Sequence, residues 1–515
     1  MVTFADIHPS QTLGELTMFD RLIFKGHLSG LYGRGRFSWF LHEQDVLLKD
    51  FGAYVKQTSA ALKSHAEALA KAAQRPYIYL AGAKTQRTGQ SKEDLARELA
   101  QADGLTAGLV CVLATLEINS SFDVRGNRQT HQKEVVRRPR KHLHFYFYYL
   151  DPEFGLLHIR LQSWFPFEIQ IYINGRAWLA QQLDQASIEY TRYRNCFVEI
   201  ADLQAAQTLC DKFAHRKWAR VLNVFAKRVN PVLETIAQAG FGGYYWSINQ
   251  AEIATDVMFP ERATLETILP DLFQEASLAF SATDVLRFLG RKLHGNFQGA
   301  VSTDLKKRLE GYRVKHWLKN NSIKMYDKAS VLRIETTINN SREFKTLQVE
   351  DEQRRWVPMN KGVANFWRFY QVGQQANHRY LTALAQVQLK GEGVQVLDAL
   401  CRPHTKQGKR VSKFNPITKA DCQLFAAVMS GEHLINGFRN RDLRRKLYAG
   451  ATATPVQTKR RCARVSRLIA KLRGHGLIAK VKEARLYRVT KFGFQAMSAA
   501  LRYRAVDFPT AFAAA

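Results

Sequence analysis

The sequence predicts an α+β protein, multidomain, with antiparallel β-sheets flanked by helices and a C-terminal winged helix. Three observations carry that expectation. Aromatic and β-branched runs cluster at 142–174, 244–259 and 322–338; a mostly helical stretch at 200–240 and a helical insert at 262–291 lie between them; and residues 417–505 read as short helices followed by two strands. At roughly 100–200 residues per domain, 515 residues make three or four domains. The expected divisions are an α/β domain at 1–125, a β-rich domain with helices at 126–240, a candidate catalytic α+β domain at 241–390, a linker at 391–416, a nucleic-acid-binding module at 417–505 and a tail at 506–515.

Composition narrows the function. Apolar residues make up 46% of the chain and aromatics 11%, which excludes a disordered chain. Lys and Arg number 76 against 45 Asp and Glu, a net charge of +31, and such an excess in a well-packed chain points to a polyanionic partner. The start lacks the basic and apolar regions of a signal peptide, and the longest apolar stretch, Gly108 to Leu116, falls far short of a membrane span. Six cysteines are scattered without CxxC spacing, so neither a disulfide framework nor a zinc ribbon is indicated. The expectation is a cytoplasmic protein with a nucleic-acid partner, DNA ahead of RNA, and no membrane partner.

Along the chain, Lys56 to Gln74 is Ala-rich and predicts a helix, stopped by Arg75-Pro76 before a short strand at Tyr77–Leu80. Ser91 with Asp94 has the spacing of a capping box for the next helix, and the apolar run from Gly108 to Ile118 predicts a buried strand. Arg125 to Lys141, with seven cations, reads as a loop or hairpin tip. Strands follow at His142–Leu150, Leu156–Phe165 and Phe167–Ile173, then a helix at Arg176–Leu183 and a mostly helical stretch at 200–240. Tyr244–Phe259 is the next strand, a helical insert spans 262–291, Ser322–Ile338 is β, and 362–388 is helical. No P-loop, dinucleotide fingerprint, HExxH or EF-hand is present.

The C-terminal module predicts short helices at Lys419–Met429 and Arg441–Tyr448 and a longer one at Pro455–Arg473. On the longer helix Val465, Leu468, Ile469 and Leu472 make an apolar stripe. Lys459, Arg460, Arg464, Arg467 and Lys471 crowd its other side. Strands at Leu477–Val481 and Leu486–Val489 enclose Lys482-Glu-Ala-Arg485, and Thr490 caps a last helix. Leu472-Arg-Gly-His-Gly-Leu-Ile478 followed by Tyr487-Arg-Val-Thr490 resembles the winged helix of bacterial regulators of the MarR and ArsR type. The resemblance implies a basic helix in the major groove and Arg485 on the wing reaching the backbone.

Candidate chemistry centres on Ser322-Ile-Lys-Met-Tyr-Asp-Lys328 and Val331-Leu-Arg-Ile-Glu-Thr-Thr-Ile338, two alternating runs two residues apart that predict a hairpin. Pairing Lys328 with Val331 sets Tyr326 opposite Arg333 and Lys324 opposite Glu335, all on one face. A tyrosine flanked by cations beside a carboxylate suits phosphoryl transfer through a tyrosyl nucleophile, with the carboxylate holding a divalent metal, Mg or Mn. A solvated sheet face with a Lys–Glu pair suits the pattern too. Upstream, Glu252 and Asp256 share a strand face, and either could join Glu335 as a ligand if the strands are neighbours.

Glu252-Ile-Ala-Thr-Asp256, then Ile323-Lys-Met-Tyr-Asp-Lys328 and Leu332-Arg-Ile-Glu-Thr-Thr337, resembles the replication-initiation family of rolling-circle plasmids and phages, over about 244–345. The resemblance implies nicking of one DNA strand by a tyrosine with a divalent metal. It departs from the family at Glu252, where Asp is usual, and at Gln250, where Arg is usual. The chain as a whole also resembles a set of bacterial proteins, a likeness that implies no activity.

A rival constellation is His142-Leu143-His144, which resembles the HUH motif of other nickases, with Tyr190 and Tyr193 downstream. The leading expectation is a metal-dependent DNA strand-nicking and rejoining enzyme, of replication-initiator or transposase type. Its nucleophile is Tyr326, its phosphate clamps Lys324 and Arg333, and its metal ligands Glu335 with Asp256 or Glu252. The alternative is a non-catalytic DNA- or RNA-binding protein or transcriptional regulator.

Overall fold

The computed structural model describes residues 3–33, 35–80, 91–129, 131–291, 301–350, 353–385, 398, 400–406, 408–449, 454–481 and 485–509. They form a mixed α+β protein that divides into two compact units, Leu16–Ala254 with Thr336–Gln374, and Met1–Glu15 with Thr255–Glu335 and Gln375–Ala515.

The first unit is built on strands β1 (Gly14–His27), β2 (Tyr77–Tyr79), β3 (Gly108–Gly126), β4 (Lys133–Asp151), β5 (Gly155–Gln162) and β6 (Ile169–Asn174), ordered β1-β6-β5-β4-β3-β2. Strands β7 (Tyr190–Arg192) and β8 (Phe197–Ile200) pair separately, and β9 (Tyr245–Met258) lies beside β1. The pairs from β1 to β3 are antiparallel, but β2 runs parallel to β3, which corrects the expectation of purely antiparallel sheets. The crossover between β2 and β3 includes helix Lys92–Ala102, whose Ser91–Asp94 capping box is present as expected.

Of the basic stretch read as a loop or hairpin tip, Arg128 lies in the connection of the β3–β4 hairpin, Arg125 lies at the end of β3, and the rest, Lys133 to Lys141, is strand β4 rather than loop. Carboxylates distant in sequence absorb its charge: Arg137 pairs with Glu168 at 3.1 Å, Arg140 with Asp123 at 3.4 Å, and Arg138 also with Asp123. Cross-strand ion pairs of this kind make a cation-rich segment compatible with a ladder.

Helix Phe51–Ala72 packs against β3, and its Phe51 joins a ring cluster in which Phe37 lies 5.7 Å from Phe51, 4.7 Å from Phe122 and 5.0 Å from Phe165. Helix Trp218–Val229 buries Trp218, Leu222, Phe225, Ala226 and Val229, a helical-period stripe. Each such side chain removed from water contributes about 1.5–3 kcal/mol, so these clusters anchor the sheet.

The second unit carries β10 (Val301–Lys307), β11 (Tyr312–Leu318), β12 (Asn321–Lys328) and β13 (Val331–Ile338), ordered β10-β11-β12-β13, with the end of β9 beside β13. Helices Arg262–Gln274 and Ala282–Phe288 lie in the expected insert. The described part of 391–416, read as a linker, holds two paired strands, His404–Lys406 and Lys409–Val411. His404 and His475 bridge it to the following module, at 2.9 Å to the Gly474 carbonyl and 2.8 Å to the Ser412 carbonyl. That module contains helices Lys419–Val428, Gly431–Asn436, Asn440–Leu447 and Pro455–Gly474, a two-stranded ladder of Ile478–Lys480 with Tyr487–Val489, and helix Lys491–Arg502.

Candidate functional site

Strands β12 and β13 meet across Ala329–Ser330, and period-two alternation sorts their side chains. Ile323, Met325, Leu332 and Ile334 are fully buried on one side. On the other side the structure brings together Lys324, Tyr326, Arg333 and Glu335, and with them Asp256 from β9.

The contacts form one network. The Tyr326 hydroxyl donates to Glu335 Oε2 at 2.8 Å, and Lys324 Nζ lies 2.5 Å from Glu335 Oε1. Arg333 donates through Nε and Nη2 to the two oxygens of Asp256, at 2.6 and 2.9 Å, and through Nη1 to the Tyr326 oxygen at 3.2 Å. Arg308, just past β10, stands over the Tyr326 ring at 5.0 Å, with the Lys324 and Arg333 charges each 5.5 Å from its centre. Nothing in the sequence singled out Arg308, because it lies in a charged stretch without alternation.

This face is polar but not solvated. Tyr326 is 8% exposed, Arg333 2%, Glu335 1% and Asp256 0%, so the reading of a solvated half-face is corrected. The polar side chains are packed against one another and Arg308 stands over the Tyr326 ring, while β11 flanks β12, with Arg313 opposite Tyr326, and β9 flanks β13. A buried charge must be paired, and the bidentate fork on Asp256 supplies the geometry that makes such a pair tolerable. On the opposite side of β12, Asp327 is fully buried and bound by Arg262 at 2.7 Å and by the Tyr312 amide at 2.7 Å.

Chemically, a hydroxyl donating to a carboxylate is the geometry of a nucleophile with its base. Both oxygens of Asp256 are taken by one guanidinium, so Arg333 would have to release it before either could meet a phosphate or a metal. Glu335 sits between Lys324 and Tyr326, so a divalent ion there would compete with an ammonium. Glu252 belongs to the first unit, where it accepts a 3.1 Å hydrogen bond from Gln250.

The rival pair, His142 and His144, lies on one face of β4 with rings stacked at 4.7 Å. Each Nδ1 points to a backbone carbonyl, of Arg140 at 2.9 Å and of His142 at 3.3 Å, and each Nε2 is buried without a partner among the described residues. Burial pushes His142 down to about 4 and His144 to about 3, so both rings are neutral. Tyr190, on β7, donates to Asp184 at 3.0 Å rather than standing on a helix.

On the C-terminal helix, Thr454 and Gln457 form a capping box, Pro455 opens the first turn, and Val465, Ile469 and Leu472 are buried. At about 100° per residue these three fall in a narrow arc. Lys459, Arg460, Arg464 and Arg467 fall in the opposite arc, all exposed and none paired with a carboxylate among the described residues. Lys471 differs: its ammonium lies 3.7 Å from Asp421 and 3.8 Å from the centre of the Phe414 ring. Arg485 is exposed, and the rest of the expected wing tip, 482–484, lies outside the described residues.

No family model, curated protein or solved structure matches the chain.

Proposed function

We propose that this protein binds nucleic acid through the exposed face of helix Pro455–Gly474, the helix acting as the reading element of a winged-helix module. The observation that supports it is the row of four exposed cations, Lys459, Arg460, Arg464 and Arg467, without acidic partners among the described residues. Isolated unpaired cations on one face are what counterion release on a phosphate backbone requires, each contributing about 0.9 to the salt slope on duplex DNA. The chain's net charge of +31 acts in the same direction. Replacing Arg460, Arg464 and Arg467 with Ala should lower the slope of log affinity against log salt by about 2.7 on a duplex. An unchanged affinity and slope in that variant would remove the helix from the binding surface.

A second reading, strand nicking through Tyr326, draws on the 2.8 Å hydrogen bond from its hydroxyl to Glu335. In it Glu335 takes the phenol proton, and the phenolate attacks a phosphodiester phosphorus. A phosphotyrosyl bond forms as the P–O bond to the 3′ oxygen breaks, and that oxygen leaves with a proton taken from water. Entry of the strand would require the buried face to open. The test is incubation of the protein with labelled single-stranded and hairpin DNA plus Mn²⁺: a covalent adduct lost in Tyr326→Phe supports nicking, and no adduct from wild type leaves the binding reading alone.

A further inference from the structure

One face of the first unit's sheet carries a pocket of about 370 Å³, lined from five strands. The register assembles it. Ile23 on β1 pairs with Tyr172 on β6, and Tyr172 pairs with His158 on β5. Gln170 pairs with Arg160, which pairs in turn with Tyr146 on β4. Because partners across a ladder share a face, these side chains converge on one side. The volume lies in the range of small-molecule sites.

Two kinds of group line it. The aromatic wall is His158 stacked on Tyr172, with ring centres 5.0 Å apart and planes at 13°, beside Tyr146, whose ring centre is 5.8 Å from His158. The cationic wall is Arg21 and Arg160. Arg21 lies 5.4 Å from the Tyr172 ring centre, is exposed, and has no carboxylate partner among the described residues.

The one carboxylate, Glu117, is already neutralised. It accepts from Lys92 at 2.8 Å, Tyr146 at 2.7 Å and Arg160 at 2.7 Å, which hold it down to about 2. Two cations, Arg21 and Arg160, and one anion line the pocket, and Lys92 also binds that anion, so the lining favours a negative ligand. Glu117 orients Arg160 and Tyr146 toward it.

Two polar groups are left over. The Gln170 amide makes no side-chain hydrogen bond among the described residues, and His158 Nδ1 is buried without a partner. A buried polar atom left unpaired is costly, and a ligand that pairs it recovers that cost.

We propose that this pocket binds a nucleotide, its base against the Tyr172–His158–Tyr146 wall, its polar edge on Gln170, and its phosphate on Arg21. A planar heterocycle is the ligand that uses an aromatic wall and an amide together, since the amide offers one donor and one acceptor to a base edge. Stacking on aromatic side chains is sequence-tolerant, and arginine supplies the phosphate contact. The source is either a free mononucleotide or one residue of a single strand. The inference does not rest on duplex binding by helix Pro455–Gly474.

The test is calorimetric titration of the full chain with AMP and UMP, with ribose 5-phosphate and inorganic phosphate as controls. Saturable one-site binding of a mononucleotide, at least tenfold tighter than either control, is expected. Arg21→Gln should weaken it by roughly 10- to 100-fold, as loss of a charge-assisted hydrogen bond does. Arg21 is exposed, so the variant keeps its fold, which circular dichroism checks. Gln170→Leu should weaken mononucleotide binding while leaving the two controls unchanged, since it removes the amide that meets the base edge.

A short oligonucleotide binding more than tenfold tighter than its mononucleotide identifies a strand as the source, and equal binding identifies the free nucleotide. The Arg460, Arg464 and Arg467 triple Ala variant should bind mononucleotides as wild type does, which separates this pocket from the helix. The proposal is overturned if no mononucleotide binds, if inorganic phosphate binds as tightly, or if Arg21→Gln binds unchanged.

Discussion

Arg333 shows how a single side chain can organise a polar interior. Its fork spans both Asp256 oxygens at 2.6 and 2.9 Å while its third nitrogen reaches the Tyr326 oxygen at 3.2 Å. Removing a buried partner strands the remaining charge, which costs about 3–5 kcal/mol, whereas replacing both partners with apolar groups costs far less. Arg333→Met should therefore lower the urea-unfolding free energy by about 3–5 kcal/mol, and Asp256→Leu should do likewise. The double variant should be more stable than either single one. If the two losses simply add, the pair is not the coupled unit that its geometry describes. Tyr326→Phe, by contrast, deletes one hydroxyl between Arg333 and Glu335 and should cost about 1–3 kcal/mol, since Glu335 keeps Lys324 at 2.5 Å.

The hairpin that presents this network turns at Ala329, whose φ is +47°. A Cβ is strained there, and a two-residue hairpin loop with positive φ at its first position favours glycine. Ala329→Gly should raise stability by about 0.5–1 kcal/mol, read as a higher urea midpoint with unchanged slope. A lower midpoint would mean that the entropy of the unfolded glycine outweighs the relieved strain.

The same element shows what sequence can and cannot reveal. Alternation placed Lys324, Tyr326, Arg333 and Glu335 on one face because a pleated strand admits only two. It named Asp256 as a partner only on the condition that its strand be a neighbour, a condition that spacing alone does not decide because Asp256 arrives from 77 positions away, and β9 does lie beside β13. Strands β10 and β11 went unread for a related reason: Thr303-Asp-Leu-Lys-Lys307 is exposed and lacks apolar alternation, and in β11 the inward set Val314, His316 and Leu318 has a histidine in its middle and charged neighbours at Arg313 and Lys315. The arginines of β4 looked like a loop because their partners, Asp123 and Glu168, are invisible until the ladder forms. On helix Pro455–Gly474 local spacing sufficed, as both its arcs follow from 3.6 residues per turn.

At the scale of the whole chain, buried neutral histidines set the response to acid. Burial pushes His8, His142 and His316 down to about 4 and His144 and His158 down to about 3. Each lies below its unfolded value near 6.5, so between that pH and about 4 the unfolded chain binds more protons than the folded one. Stability therefore rises with pH through this window and is lost as pH falls below about 6.5. Two groups oppose the trend: burial raises Glu15 to about 7 and lifts Glu275 above the usual carboxyl range, so the folded state gains protons there as pH drops toward 4.5. The depressed histidines, with His27, His378, His433 and His475 also lowered by burial, outnumber the two raised carboxyls, so the unfolded state binds more protons, each excess proton contributing up to about 1.4 kcal/mol per pH unit. Self-repulsion within a chain of net charge +31 grows as histidines and carboxylates protonate and adds in the same direction. Thermal melts at pH 8, 7, 6 and 5 should show a nearly constant first transition from 8 to 7 and a steep fall below 6. His144→Gln, which keeps a polar side chain but cannot titrate, should shallow that fall by about one proton. A transition temperature constant from pH 8 to pH 5 would mean that the histidines reach solvent, contrary to their burial.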